Sequence, residues 1–496
     1  MYTIPVLLAA FLTSVFAIYI VKPIAVRIGL VDKPGGHKAH DAHVPLVGGL
    51  AIFLAVGLAW VLAPRLGLST INSVFAAAGG LLFFVGLLDD RLQLSVRIRF
   101  AVQIVAAGLL IYSNVVIVDV GYLFGDEPFA LGWFAIPVTV FATVGAINAL
   151  NMIDGMDGLA GCVSLVSFTL LTVVAFMGSN LLQILILLCV LGGLLGFLVF
   201  NMPWPGRSRA HIFMGDAGST LLGFLLAFSL IVLSQGQQRA MAPVTALWIF
   251  AVPLLDTLGV MLRRVWLGRS PFAADRGHIH HLLLDAGFRV RHAVVLIAAF
   301  QGVCGAVGLA LDVGGAPELL SLCLFVALFS VYAFLISRPW RIVPRIRSMQ
   351  HKSGWVAQGV AHVYIAGLSP TSAITDMYTL MGARAGSWGF ELYRLGDDAQ
   401  APVFALVDPG HVDKVGDALT NLKFRLAKKQ RTGHEGLLGI TELRQFRPRS
   451  ASNDRRGNGD AREDSRRRHD RRRAVPRLFY RSEEWLTNNN SEEVAA

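Results

Sequence analysis

Residues 148–161, NALNMIDGMDGLAG, set two amides and two carboxylates, Asn148, Asn151, Asp154 and Asp157, three residues apart at the end of an apolar run. Other polar groups stand in comparable places. Asp89 and Asp90 close LLFFVGLLDD, Asp216 lies in HIFMGDAGS, and His278, His280 and His281 lie in DRGHIHHLLLDAG. Ionisable side chains at membrane depth are costly and normally face a protein interior or a water-filled cavity. Five carboxylates, two amides and three imidazoles, with Lys38, Arg97 and Arg99 nearby, have the makings of a hard-metal site in a basic basin. Carboxylate and amide oxygens suit Mg²⁺ or Mn²⁺, whereas zinc would want more His or Cys. Basic groups around such a cation would hold phosphate oxygens, because phosphoryl transfer is mostly positioning and charge neutralisation.

Spacing constrains how these groups can converge. On a helix, Asn148 and Asn151 are neighbours, but nine residues would carry Asp157 to the opposite face. A break is needed, and Gly155 and Gly158 supply it, letting Asp154 and Asp157 turn back toward one cavity. Asp89 and Asp90 are adjacent and point about 100° apart on a helix. They cannot do the same job: one can face the metal or nucleophile while the other sits beside it.

The elements that carry these groups are membrane helices. The chain has 496 residues with 54% hydrophobic and 16% charged content, and a mean hydropathy of +0.57. That is too apolar for an ordinary soluble protein of this length. Runs long enough to span, roughly 20 residues, recur near 4–21, 46–63, 71–88, 98–117, 132–150, 159–177, 181–200, 219–234, 243–262, 292–311 and 318–336. The expectation is an all-α polytopic membrane protein of about eleven transmembrane helices. The first run lacks a basic n-region and a cleavage site, so it is kept as a helix. Cys162, Cys189, Cys304 and Cys323 fall singly in apolar runs, implying neither disulfide framework nor zinc site. One set of loops holds Lys22, Arg27, Lys33, Lys38, Arg91, Arg97, Arg99 and further arginines to Arg291, and the alternate set only Arg65 and Arg239. The positive-inside rule then makes the first set, with every polar motif above, cytoplasmic.

Hydropathy falls after residue 340, which divides the chain into a transmembrane catalytic domain, 1–340, a small cytoplasmic α/β module, 341–448, and a tail, 449–496. In the module VAHVYIAG, GFELYRLG and PVFALVDPG have strand patterns, while TSAITDMYTLMGAR and HVDKVGDALTNLKFRLAKKQ have helical ones. The Arg-rich stretch SASNDRRGNGDAREDSRRRHDRRR has almost no aliphatics and is expected to be disordered. Much of the net charge of +11 lies there. Beside a cytoplasmic leaflet such a tail is solvated or held by anionic lipid, so nucleic acid is not the expected partner.

GLLDDRLQLSVRIR, NALNMIDGMDGLAG, FMGDAGS and HIHHLLLDAG, in this order on alternate loops, resemble the polyprenyl-phosphate N-acetylhexosamine-1-phosphate transferases, the glycosyltransferase 4 group that contains WecA and MraY. The resemblance covers residues 1 to about 340 and is nearest to the WecA type. It implies that undecaprenyl phosphate attacks the sugar-bearing phosphorus of a UDP-N-acetylhexosamine with magnesium assistance, releasing UMP at the bacterial inner membrane and starting envelope polysaccharide synthesis. Carried over by motif, Asn151 and Asp216 resemble the metal-holding positions, Asp89 the carboxylate at the attacking phosphate and Asp90 its partner. Asp154 and Asp157 match cavity carboxylates, and His280 with His281 the histidine loop at the catalytic centre. Phe213 resembles the aromatic that stacks on uracil, and Lys38, His40, Arg99, Asn148 and His278 join it as substrate-binding positions. Arg99 stands where many relatives have Lys, which keeps the charge and changes the geometry. His37 stands where WecA-like chains often carry Arg. A homodimer is compatible with the resemblance.

Two other functions compete. A transporter also carries intramembrane acids, but near mid-span, whereas these motifs end helices. The transferase for UDP-MurNAc-pentapeptide shares the chemistry, but the HIHH loop, in place of a His-His-His run, favours a UDP-GlcNAc-type donor.

Overall fold

The computed structural model describes residues 2–32, 44–69, 71–203, 209–237, 239–266, 270, 277–286 and 288–337, and beyond them strands at 361–366, 391–394, 403–407 and 442–445. Contacts divide the chain into one unit of Met1–Leu284 with Phe288–Ser337 and a second of Asp285–Gly287 with Arg338–Ala496.

The first unit is a bundle of helices: α1 (Thr3–Ile28), α2 (Gly48–Arg65), α3 (Ser73–Leu92), α4 (Val96–Tyr112), α5 (Ala135–Ile153), α6 (Leu159–Met177), α7 (Leu181–Asn201), α8 (Gly215–Ser234), α9 (Pro243–Ile249), α10 (Ala251–Trp266), α11 (Ile279–Asp285), α12 (Val290–Val313) and α13 (Glu318–Ile336). Among the described residues nine helices are long and apolar enough to cross a membrane, and the protein is a multi-pass membrane protein. The two remaining expected runs differ from simple spans. The run at 98–117 is α4, of 17 residues, which stops at Tyr112 because the chain turns into a short hairpin where Asp119 bridges Ala130.

The run at 243–262 is two helices, α9 and α10, bent by 81°. Pro253 explains the break: it has no N–H to offer the Ile249 carbonyl and its ring crowds it. Gln301 of α12 repairs both sides of the gap, donating Nε2–H to Ile249 O at 2.6 Å and accepting Val252 N–H at 2.8 Å. Ser167 Oγ donates to the same carbonyl at 2.8 Å. Backbone groups freed inside a bilayer need such protein partners.

The central helix is α8, buried along nearly its whole length. Gly49 and Gly218 let α2 approach it, since a Cβ on Gly49 would lie 2.5 Å from Gly218 N. Phe75 of α3 stacks on Phe228 of α8 with centroids 4.0 Å apart. At the end remote from the polar motifs, Arg239 lies 3.1 Å from Glu318 Oε1 and 3.6 Å from Asp119 Oδ1, and 4.8 Å above the Tyr122 ring. This network ties the hairpin to the starts of α9 and α13.

Two short strands, β1 (Val31–Asp32) and β2 (Val44–Pro45), pair antiparallel in the first unit. The second unit contains a four-stranded antiparallel sheet of β3 (Ala361–Ala366), β4 (Glu391–Arg394), β5 (Val403–Val407) and β6 (Glu442–Gln445), in the order β4-β5-β3-β6. The first three coincide with the expected strands, and β6 is additional. The helices expected at 371–384 and 411–430, and the tail, lie outside the described residues.

Candidate active site

Asp89 and Asp90 occupy the last turn of α3, and the structure gives them different work. Gln93 caps that helix in the left-handed conformation, φ 52°, turning the chain so that Leu94 N–H donates to Asp89 Oδ1 at 2.6 Å. Ser95 then caps α4 and brings Arg99, one turn in, back over Asp89. Arg99 Nη1 lies 3.1 Å from Asp89 Oδ2 and 3.8 Å from Asp216 Oδ2. One guanidinium thus bridges the carboxylates of two motifs that are 127 residues apart, taking 89 from 216.

Asp90 points the other way, to the start of α8, where its oxygens accept Asp216 N–H at 2.7 Å and Ala217 N–H at 3.2 Å. A carboxylate here satisfies orphan amides and complements the helix dipole. The fit needs two glycines. Gly215 has φ +73° and lies against the Asp90 carboxylate, and a Cβ on Gly86 would lie 2.5 Å from Ala217 Cα. Asp216 is thereby fixed in space by Asp90.

Asn151 completes this cluster from α5, donating Nδ2–H to Asp216 Oδ1 at 2.6 Å and to Ser219 Oγ at 2.9 Å. Asn148, one turn earlier, donates to Gln103 Oε1 at 2.6 Å and to Val144 O at 2.8 Å. α5 ends at Ile153, and Gly158, φ +81°, starts α6. The turn separates the two following carboxylates more than the spacing argument anticipates. Asp157 Oδ2 accepts Ala210 N–H at 2.9 Å, so this carboxylate braces the segment before α8 and does not turn back to the cavity. Asp154 is half-buried. Burial first, then the negative charges of Asp216 and Asp157, push its carboxyl up to about 7.

His278, His280 and His281 stand at the start of α11. The His280 ring lies 5.7 Å from that of His278 and 4.2 Å from that of His281, over Gly155, where a Cβ would come within 2.9 Å of its Nε2. His280 is 1% exposed, and among the described residues its Nδ1 has no hydrogen-bond partner. Burial, then His281 beside it, push it down to about 3, so it is a neutral imidazole at physiological pH.

Asp89, Arg99, Asn148, Asn151, Asp216 and the three histidines all line one cavity of about 1360 Å³, which continues along apolar side chains such as Phe141, Leu230, Leu247 and Met261 to Asp119 and Gln235 at the far end of the bundle. Asp90, Asp154, Asp157 and Phe213 are not among its described lining residues. Phe213 is half-buried, its backbone held by Pro45 O and Gly48 N–H at 2.9 and 3.0 Å. Lys38 and His40 lie outside the described residues.

Two buried groups that support the site carry no sequence motif. Asn201 accepts Gly158 N–H at 2.8 Å and donates to Ile212 O at 2.9 Å, tying the α5–α6 turn to the segment before α8. Asp256 is 1% exposed and meets His278 Nδ1 at 2.8 Å. A carboxylate inside the apolar run 243–262 is the signal that could have found it.

Among the described residues no cluster of three or more His, Cys, Asp or Glu side chains is arranged to hold a metal ion. The Asp216 carboxylate beside the bridging guanidinium and the amide of Asn151, which is hydrogen-bonded to it, carry hard oxygen donors. Such a partial set fits magnesium, which commonly keeps waters and substrate phosphates as its other ligands.

The family model described as Glycosyl transferase family 4 matches residues 72–234. Relatives named undecaprenyl-phosphate alpha-N-acetylglucosaminyl 1-phosphate transferase match over a longer range. That of Salmonella typhi is 37% identical over 352 residues, 70% of this chain and 94% of the relative. That of Yersinia pestis is 39% identical over 354 residues, with the same coverage. That of Escherichia coli K12 is 36% identical over 352 residues, again 70% of this chain and 94% of the relative. With so much of each relative matched, the chain belongs to glycosyl transferase family 4, the group its four loop motifs resemble.

Proposed function

We propose that the protein transfers N-acetylglucosamine-1-phosphate from UDP-N-acetylglucosamine to undecaprenyl phosphate on the cytoplasmic side of a bacterial inner membrane, releasing UMP. The observation that carries this reading is the cavity. An acid, guanidinium, amide and imidazole cluster heads a long apolar channel, which suits a lipid whose phosphate reacts while its chain stays among apolar side chains.

In this reading an oxygen of the lipid phosphate attacks the sugar-bearing phosphorus of the donor. The new P–O bond forms as the bond to the bridging oxygen breaks, and UMP leaves with that oxygen. Asp89 takes the proton of the lipid phosphate or orients it, and Arg99, 3.1 Å away, holds the phosphate against Asp89. Asn151 and Asp216 would hold a magnesium ion, whose charge offsets that of the diphosphate. His280, neutral and lining the cavity, is suited to hydrogen-bond the donor without adding charge. Phe213, by its motif position, would stack the uracil, while Asp90 and Asp157 hold the loops through the α8 amides and Ala210 N–H. The product is a lipid-linked sugar diphosphate of the kind that glycosyl transfer extends into envelope polysaccharide.

The test is incubation of purified protein with undecaprenyl phosphate, Mg²⁺ and radiolabelled UDP-sugars. UMP release with label in the lipid from UDP-N-acetylglucosamine is expected. Label from UDP-N-acetylgalactosamine alone, or from UDP-MurNAc-pentapeptide, would reassign the donor, and no UMP from any sugar would overturn the reading.

A further inference from the structure

One buried chain of polar side chains lies beside the cavity without a part in the chemistry above. Tyr332 of α13 donates its O–H to Asp256 Oδ1 at 2.7 Å. The same oxygen accepts Ile279 N–H at 2.9 Å, and Oδ2 meets His278 Nδ1 at 2.8 Å. All three side chains are buried. A carboxylate only accepts, so the shared hydrogen belongs to His278 Nδ1, and Nε2 is the atom left for the cavity that His278 lines. A ring nitrogen fixed by a carboxylate behind it is the usual way a protein sets a histidine's tautomer and direction.

The Tyr332 hydroxyl is not required by packing. Its ring sits among Trp248, Leu255, Phe325 and Ile336 and against Gly259, where a Cβ would lie 3.3 Å from Tyr332 Cε1. A phenylalanine would fill this space. The hydroxyl adds one thing, a second donor that prevents the Asp256 carboxylate from rotating away from His278. α13 is itself anchored beside α9 by Trp248 Nε1–H donating to Ser321 Oγ at 3.1 Å.

We propose that Tyr332 is a positioning residue for the transfer: its hydroxyl locks Asp256, which locks His278 and the first residue of α11. The last helix of the membrane unit thereby sets the geometry of the histidine loop. The activity arm of its test rests on the transferase reading.

In the detergent-purified full chain, Tyr332→Phe should lower kcat for UMP release about tenfold and leave KM for UDP-N-acetylglucosamine within about twofold, with the protein still folded and its thermal midpoint lowered only as the loss of one buried hydrogen bond implies. In a His278→Ala background the same substitution should cost much less, because the hydroxyl acts chiefly through that ring. Val331→Ala, at an exposed neighbour on the same helix, should keep full activity. Full kcat in Tyr332→Phe, or an equal loss with and without His278, would overturn the proposal. A second arm needs no turnover. In ¹⁵N-histidine-labelled protein the His278 signals, identified by their loss in His278→Ala, should leave the Nδ1–H tautomer position in Tyr332→Phe, and unmoved signals would overturn the proposal. A wild type that releases no UMP would sink the transferase reading while the resonance arm still decides the role of Tyr332.

Discussion

Arg99 joins the two halves of the site, because its guanidinium touches carboxylates from α3 and α8 at once. In the proposed site Asn151 and Asp216 hold the metal, so Asp216→Asn and Asn151→Ala should abolish transfer mainly through its loss. Losing one ligand removes on the order of several kcal/mol of charge stabilisation, and the metal dependence of UMP release checks it: near wild-type turnover at ordinary Mg²⁺ would contradict the assignment. His280 gives a prediction about pH. Its folded value is pushed down to about 3, below its ordinary value near 6.5, so between these limits the unfolded chain binds a proton that the folded chain refuses. Stability contributed at neutral pH is then lost as pH falls through about 6.5, by up to a few kcal/mol. Thermal midpoints of wild type and His280→Gln from pH 7.5 to 5 should converge or cross, with the wild type losing more; parallel profiles would mean that the imidazole is not held neutral. The motif residues were legible in the sequence because an acid or amide closing an apolar run has few structural uses. Asp256 was less so: it sits inside a run that reads as an unbroken span, and its partners, His278 and Tyr332, lie 22 and 76 residues away.

At the scale of elements, Asp90 acts as the cap of α8, and this separates it from the adjacent Asp89. Asp90→Ala strips an acceptor from two backbone amides, at a cost of about 1–2 kcal/mol, and should lower the thermal midpoint. Asp89→Ala, whose effect is on chemistry, should lower kcat with a smaller shift in the midpoint. Equal midpoint losses in the two variants would refute the division of labour. Gln301→Leu tests the broken span in the same way. It leaves Ile249 O to Ser167 and takes the Gln301 acceptor from Val252 N–H within the apolar interior, where an unsatisfied group costs about 1–3 kcal/mol, so folded yield in detergent should fall below that of an exposed α12 substitution such as Val303→Ala. Hydropathy located ten of the eleven runs close to a span or bent pair and mis-sized the fourth, because composition reports length and burial but not bends. The bend depends on Pro253 together with a glutamine 48 residues later, counting 253 to 301, a pairing that no window of sequence displays. Likewise, Gly155 and Gly158 announced a break after α5, while the direction of Asp157 was set by Ala210, outside that window.

For the molecule as a whole, the described part of the candidate site lies before the end of α13. Every described side chain of the cavity precedes residue 323, with Leu322 the last, and the matched relatives are covered to 94% of their length by 70% of this chain. The second unit carries its own antiparallel sheet, whose order β4-β5-β3-β6 has 24 residues between β3 and β4 and 34 between β5 and β6, counting 367–390 and 408–441. Such connections are long enough for helical crossovers of the split β-α-β kind, which agrees with the helical patterns at 371–384 and 411–430. The four strands pair with one another. Truncation after about residue 345 should therefore leave UMP release at saturating substrate within about twofold of the full chain in detergent. The Arg-rich stretch from Arg455 to Arg473 contains Asp460, Glu463, Asp464 and Asp470 among its arginines, and these weaken an attraction worth about 1 kcal/mol for each basic group near an anionic leaflet. Its loss should thus alter binding to anionic vesicles in a salt-dependent way without changing kcat. A truncated protein that is folded and membrane-inserted, yet does not turn over, would show instead that a residue beyond 345 reaches the reacting phosphates.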